Sequence, residues 1–137
     1  MTLQLTGLCP LIQVYDMPTA IAFYRDRLGF EIVQHSPEID APEGRYFHWA
    51  WLRLGPADLM LNTAYDEAER PPLPDAARVA AHRDTGLFFG CPDVDAAYEA
   101  LRAAGLTLDP PKVAPYGMKQ LWLSDPDGYQ LCFQAPA

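Results

Sequence analysis

Apolar and polar positions follow one order along this chain, and the order is written twice. The first copy opens with an apolar run over residues 9–15, closed by Asp16. Ala20, Ile21, Phe23, Tyr24 and Leu28 then recur at helical spacing, which predicts an amphipathic helix. Strand-like runs follow at residues 30–34, 46–54 and 58–63. The second copy opens at residues 86–91 and continues with Asp93 and the helical set Val94, Ala97, Tyr98 and Leu101. Its strand-like runs cover residues 106–108, 118–124 and 129–134. Each Asp is placed to cap its helix, because its carboxylate can accept a free amide of the first turn. Gly29 and Gly105 stand where the two helices should stop. Gly55-Pro56-Ala57-Asp58 and Asp125-Pro126-Asp127-Gly128 supply the tight turns before each last strand.

The order strand, helix, three strands therefore repeats after roughly 60 to 75 residues, which marks an internal duplication. The expected organisation is one domain over residues 1–137. Its first module spans about 7–65, a connector about 66–84, and its second module about 85–135. The connector is polar and carries Pro71, Pro72 and Pro74. One βαβββ module leaves a sheet face open and cannot bury it alone. The expected fold class is α+β: two tandem modules forming a curved, mixed eight-stranded sheet, with helices on the outer face and a concave cleft.

Composition narrows the function. With 137 residues the chain is long enough for one real core and short for two. Ten Lys plus Arg against 18 Asp plus Glu give a net charge of −8, so nucleic acid and anionic membrane surfaces are unfavourable partners. Cys9, Cys91 and Cys132 are odd in number and lack metal-site spacing, so no disulfide framework is implied. There is no basic segment followed by an apolar run at the start and no apolar stretch of about 18 residues, and a cytoplasmic location is expected. Exposed sheet edges and a half-open cleft would be covered by forming a homodimer.

Four motifs carry a resemblance: Val14-Tyr15-Asp16, the helix end Phe23-Tyr24-Arg25-Asp26-Arg27-Leu28-Gly29-Phe30, Asp93-Val94-Asp95-Ala96-Ala97-Tyr98, and Asp125-Pro126-Asp127-Gly128-Tyr129. On these the chain resembles the vicinal oxygen chelate superfamily from about Gly7 to Gln134. That group includes glyoxalase I, fosfomycin and bleomycin resistance proteins, and extradiol dioxygenases. Its enzymes hold a divalent metal with His, Gln or Glu at the start of the first strand and in the last strand of each module. The resemblance puts Cys9, Met60, Gly86 and Cys132 at those positions. Gly offers no ligand, Met is soft and weak, and two thiols would need further partners, so no metal and no cofactor is expected. His35 and His82 lie in polar stretches and read as surface residues. His48 reads as a residue of the covered face.

Alternation along the strands, anchored on those four positions, places Leu11, Gln13, Asp58, Met60 and Asn62 on the concave face. Phe47, Trp49, Trp51 and Arg53 follow, as do Phe88 and Gly90. Met118, Gln120, Trp122, Gln130, Cys132 and Gln134 complete it. The candidate ligand-binding residues are Trp49, Trp51 and Trp122 with Phe47, Phe88, Met60 and Cys132. Gln13, Asn62, Gln120 and Gln130 would orient the ligand. All three Trp share this face, which suits an aromatic or apolar ligand, cationic ones included. A break between residues 46 and 54 would flip that part of the assignment. Tyr116 and Lys119 read as a cleft edge or an ordinary loop, and residues 36–45 as a surface loop. No nucleophile with a neighbouring base and no phosphate loop is present, so no catalytic residue is assigned. The leading reading is a metal-free small-molecule binding protein similar to the bleomycin-resistance branch. The alternatives are a metal-dependent lyase, isomerase or dioxygenase with unusual ligands, and a regulatory subunit with a filled cleft.

Overall fold

A computed structural model describes residues 2–41, 44–66 and 68–137. The first half holds β1 (Leu11–Val14), α1 (Met17–Ile21), a wider π-helical stretch (Ala22–Arg27) and β2 (Glu31–His35). It continues with the short β3 (Ile39–Ala41) and β4 (Gly44–Tyr46), then β5 (Trp49–Leu54) and β6 (Ala57–Thr63). After α2 (Ala76–Ala81) and one 3-10 turn (His82–Asp84), the second half holds β7 (Gly86–Gly90), α3 (Val94–Ala103), β8 (Lys112–Val113), β9 (Met118–Ser124) and β10 (Gln130–Pro136). Among the described residues no helix is long and apolar enough to cross a membrane.

The helices begin and end for the reasons read from the sequence. Asp16 accepts the amide hydrogen of Thr19 at 3.0 Å, and Asp93 that of Ala96 at 2.9 Å. Gly29 and Gly105 follow the helices at φ +93° and +90°, and the next amides turn back onto the helix, Phe30 to the Tyr24 carbonyl and Leu106 to that of Leu101. In the widened stretch the Leu28 amide reaches five residues back, to Phe23.

The class is mixed α+β, with one strand order in both halves: β1-β6-β5-β2 and β7-β10-β9-β8. β1 runs parallel to β6 and β7 parallel to β10, and the other pairs are antiparallel. The eight strands form two four-stranded sheets rather than one continuous sheet. Side chains occupy the outer edge of β1 instead of a ladder to β7. The Gln13 amide donates to the Tyr129 hydroxyl, the Gln13 carbonyl accepts from Arg78, and the Tyr15 amide donates to Asp127 at 2.7 Å.

One core joins the halves. Val14, Met17, Tyr24, Phe30, Leu52, Leu59 and Leu61 are buried together with Tyr129 and Leu131 from the other half. The Phe30 and Phe89 rings meet edge to face at 6.2 Å. Tyr24 bonds to Asp125, and Arg27 donates to the Ala104 carbonyl at 2.7 Å.

Five expectations change. The connector contains α2, capped by Asp75, and Arg78 and His82 from it grip the turn before β10. His82 is thus no surface residue: its ring stacks on Tyr129 at 4.0 Å, and its Nδ1 donates to the Asp127 carbonyl. Residues 106–108 form no strand, and the edge partner of β9 is β8. The run 46–54 is interrupted at Phe47 and His48. Residues 36–45 include the paired β3 and β4, although Pro42 and Glu43 lie outside the described residues.

Candidate functional site

Strand register sets the candidate site. In the first sheet Leu11 lies beside Met60, and Met60 beside Trp51. In the second sheet Phe88 lies beside Cys132, and Cys132 beside Trp122. The two rows match: a large apolar residue on the first strand, sulfur on the last strand, Trp on its antiparallel neighbour. Residues paired across a ladder point to one side, so each row is a continuous strip. The opposite sides, with Leu59, Leu61, Leu121 and Leu131, are buried. Leu11, Phe88 and Trp122 are 45%, 53% and 41% exposed, so these members of the strips face outward, while Cys132 is buried between its two aromatic neighbours.

A second row in each sheet is polar. Gln13, Asn62 and Trp49 align in the first, and Gly90, Gln134 and Gln120 in the second. Asn62 donates to Gln13 Oε1 at 3.5 Å. Gln120 Nε2 donates to the Tyr116 hydroxyl at 2.7 Å and to Gln134 Oε1 at 3.0 Å, while its Oε1 accepts from the Trp122 indole at 3.1 Å. This network orients Trp122, whose ring meets Phe88 edge to face at 5.2 Å. Tyr116 therefore borders the site through Gln120, whereas Lys119 pairs with Asp95 on α3.

Trp51 is oriented in a comparable way. Its indole donates to Asp58 at 3.1 Å, and Arg53, bound to the same oxygen at 2.8 Å, lies over its ring at 5.0 Å. Hydrogen bonding from Arg53, with a further bond from Trp51, holds the Asp58 carboxyl below the usual carboxylate range.

The other expected residues separate. Gln130 is tied to Ser124 Oγ and the Gly128 carbonyl. Phe47 lies in the break before β5, stacks on His35 at 4.4 Å and packs against the core. Strict alternation fails at that break, so it does not carry Phe47 onto the face of Trp49 and Trp51. His48 bonds to Thr63 at 2.8 Å, on the covered side as expected. Leu11, Asp58 and Gln134 complete the rows; alternation places them on this face, but a search for aromatic residues passes over them.

The positions that hold metal in related enzymes do not fit a hard divalent cation. Cys9 and Cys132 both have thiols pushed up by burial, Cys9 further by the charge of Asp58. A raised thiol is a poorer ligand because the thiolate binds metal. Among the described residues no group of three or more His, Cys, Asp or Glu could hold an ion together.

A cavity of about 480 Å³ lies elsewhere, between the β5–β6 turn, β7 and α3, and of the candidate residues only Phe88 lines it.

Two βαβββ units of equal strand order around one core define the class, and the chain belongs to the Glyoxalase/Bleomycin resistance protein/Dioxygenase superfamily, whose model matches residues 6–133. Among solved structures it is similar to a glyoxalase/bleomycin resistance protein/dioxygenase from Nocardioides (21% identity, TM-score 0.72, covering 98% of this chain and 86% of that one). It is also similar to TnmS3, an antibiotic-binding protein from Streptomyces sp. CB03234 (25% identity, TM-score 0.68, 99% and 100% covered). A third is the bleomycin-binding protein of Streptomyces verticillus, solved with copper(II)-bleomycin (20% identity, TM-score 0.69, 99% and 100% covered). No curated protein matches the chain in sequence.

Proposed function

We propose that this chain is a metal-free binding protein that takes an aromatic or apolar small molecule, cationic ones included, on its two Trp rows, and that it works as a homodimer. The observation that carries the reading is the matched pair of strips, Leu11–Met60–Trp51 and Phe88–Cys132–Trp122, each with exposed apolar surface and each with its indole hydrogen-bonded. A Trp whose N–H is already satisfied presents an apolar face without an unpaired donor, which suits a flat ligand. Gln13 and Asn62 would orient the ligand's polar groups. The likeness to an antibiotic-binding protein agrees with this use.

Each strip is open on its own, and ligand sites bury most of the ligand surface. A second copy laid over the strips would close them. Leu3, Leu5 and Leu8, 77%, 80% and 85% exposed, add apolar surface for that contact.

Titration with copper-free bleomycin and with ethidium, followed by Trp fluorescence, tests the reading. Quenching is expected with at least one probe, and Trp51→Ala or Trp122→Ala should weaken binding by roughly 30-fold, about 2 kcal/mol. Failure of both probes to quench would remove the binding claim, and stoichiometric divalent metal in gently purified protein would remove the metal-free claim. A monomer in sedimentation at about 50 μM, both alone and with probe, would remove the dimer.

A further inference from the structure

We infer that the cavity between the two halves is a second binding site, sharing only Phe88 and Gly90 with the rows of the candidate site, and that it takes a long apolar molecule ending in one anionic group, of the fatty-acid or aryl-carboxylate kind.

The volume of about 480 Å³ falls within the range of about 300–1,000 Å³ common for small-molecule sites. Its walls come from both halves. Leu54, Pro56 and Ala57 bring the β5–β6 turn of the first half, and Phe88, Phe89 and Leu101 bring β7 and α3 of the second. Leu54 and Phe88 are 41% and 53% exposed, so large apolar side chains line an open space without filling it. Among the described residues the lining contains no carboxylate, although the chain as a whole carries −8.

Among the described residues Arg27 is the one charged residue in the lining. Its Nη1 donates to the Ala104 carbonyl at 2.7 Å, at the C-terminal end of α3. That bond orients the guanidinium of this exposed residue toward the rim of the cavity. Among the described residues Arg27 makes no other hydrogen bond and no carboxylate lies within ion-pair distance, although the charge of the neighbouring Asp26, itself bonded to Arg25, is felt from further off. A guanidinium with unused donors at the rim of an apolar chamber recognises a carboxylate or sulfonate better than a neutral or cationic head. The cavity and the Trp rows thus differ in the charge they favour.

The exposed segment 2–10 of a second copy is the competing occupant, since it carries Leu3, Leu5 and Leu8. It contains no acidic residue, so it would bring no ion-pair partner to Arg27. The charge pattern favours the anionic amphiphile.

Calorimetric titration of the full chain with dodecanoate tests this, with dodecan-1-ol as the neutral control. One dodecanoate per chain is expected. Arg27→Gln should weaken dodecanoate about tenfold and leave dodecanol unchanged, while Arg27→Lys, which keeps the charge but not the planar fork, should stay within about threefold of wild type. Ala100→Phe, which fills the cavity from α3, should abolish binding. Absence of dodecanoate binding to the wild type would overturn the proposal. So would equal binding by Ala100→Phe, an equal loss in Arg27→Gln and Arg27→Lys, or a dimer that Ala100→Phe breaks apart. None of these outcomes bears on the Trp-row probes, so the two readings fail separately.

Discussion

The Tyr24 hydroxyl donates to Asp125 Oδ2 at 2.6 Å, joining the first helix to the last turn across 101 residues of sequence. Both groups are buried. The other carboxylate oxygen, Oδ1, accepts the amides of Asp127 and Tyr129, each at 2.9 Å. Asp125 thereby organises its own turn and holds the two halves together. Tyr24→Phe removes the only side-chain bond to this carboxylate among the described residues. A loss of about 1–3 kcal/mol is expected in urea unfolding, because the abandoned acceptor stays buried.

The same carboxyl predicts an unusual response to acid. Burial, helped by the charge of Asp127 and opposed by the Tyr24 bond, pushes its pKa up to about 6 from 3.8. The folded form therefore binds this proton more tightly than the unfolded chain. The linked stabilisation is complete below about 3.8 and is lost as pH rises through about 6. Lowering the pH from 7.5 to 4.5 should add roughly 2 kcal/mol through this group. Asp16 works the other way: burial raises its pKa, but bonds from Thr19 and Arg70 outweigh that and leave it lowered. Comparing the pH slope of Tm in wild type and Asp125→Asn isolates the first effect, and the variant should lose the rise on acidification.

Arg78 contacts both halves at once, with Nη1 2.9 Å from Asp127 and Nη2 2.7 Å from the Gln13 carbonyl. The two side chains of this pair are 14% and 3% exposed. Arg78→Met should cost about 3–5 kcal/mol, since Asp127 stays buried without its cation. Arg78→Lys should recover little, because one ammonium does not reproduce the two-pronged contact.

Gly128 lies against the backbone of α2. Its φ is +88°, and a Cβ there would collide with the Val79 carbonyl oxygen and come within 2.9 Å of Val79 Cγ1. Gly128→Ala should destabilise by roughly 3 kcal/mol or more, as strained backbone and steric overlap add. Gly90→Ala, where nothing lies within 4 Å of the added atom, is the control and should cost about 1 kcal/mol or less.

Thiol accessibility separates the three cysteines. Cys132 is fully buried, and its thiol is pushed up by that burial, whereas Cys9 and Cys91 are part-exposed. Ellman's reagent at pH 8 should label Cys132 only after unfolding, and the native protein should react at no more than two thiols per chain.

Much of this architecture is legible in the sequence because local rules enforce it. Asp16 and Asp93 cap, Gly29 and Gly105 terminate, and strict alternation along β9 and β10 places Gln120, Trp122 and Cys132 on one face. Where tertiary contacts decide, local rules fail. α2 is six residues long with no buried residue, so no apolar period announces it; Asp75 and the grip of Arg78 on Asp127 define it instead. Phe47 leaves the alternation because it stacks on His35, a partner 12 residues earlier in the chain. The split into two sheets depends on Tyr129, Asp127 and Arg78 reaching the edge of β1, and these contacts span 65 to 116 residues. Arg27 is silent in the sequence, since a charged residue at a helix end ordinarily needs no explanation beyond solvent.

The contacts of Tyr24 and Phe30 also set a timetable for synthesis. Their partners Phe89, Asp125 and Tyr129 follow them by up to about 100 positions. At ribosomal speeds of about 5–20 residues per second, the inward face of the first helix waits roughly 5–20 s for its cover. During that interval Tyr24 and Phe30 lack the carboxylate and ring partners that the second half supplies, and a chaperone that screens for aromatic surface meets this protein before its core is closed.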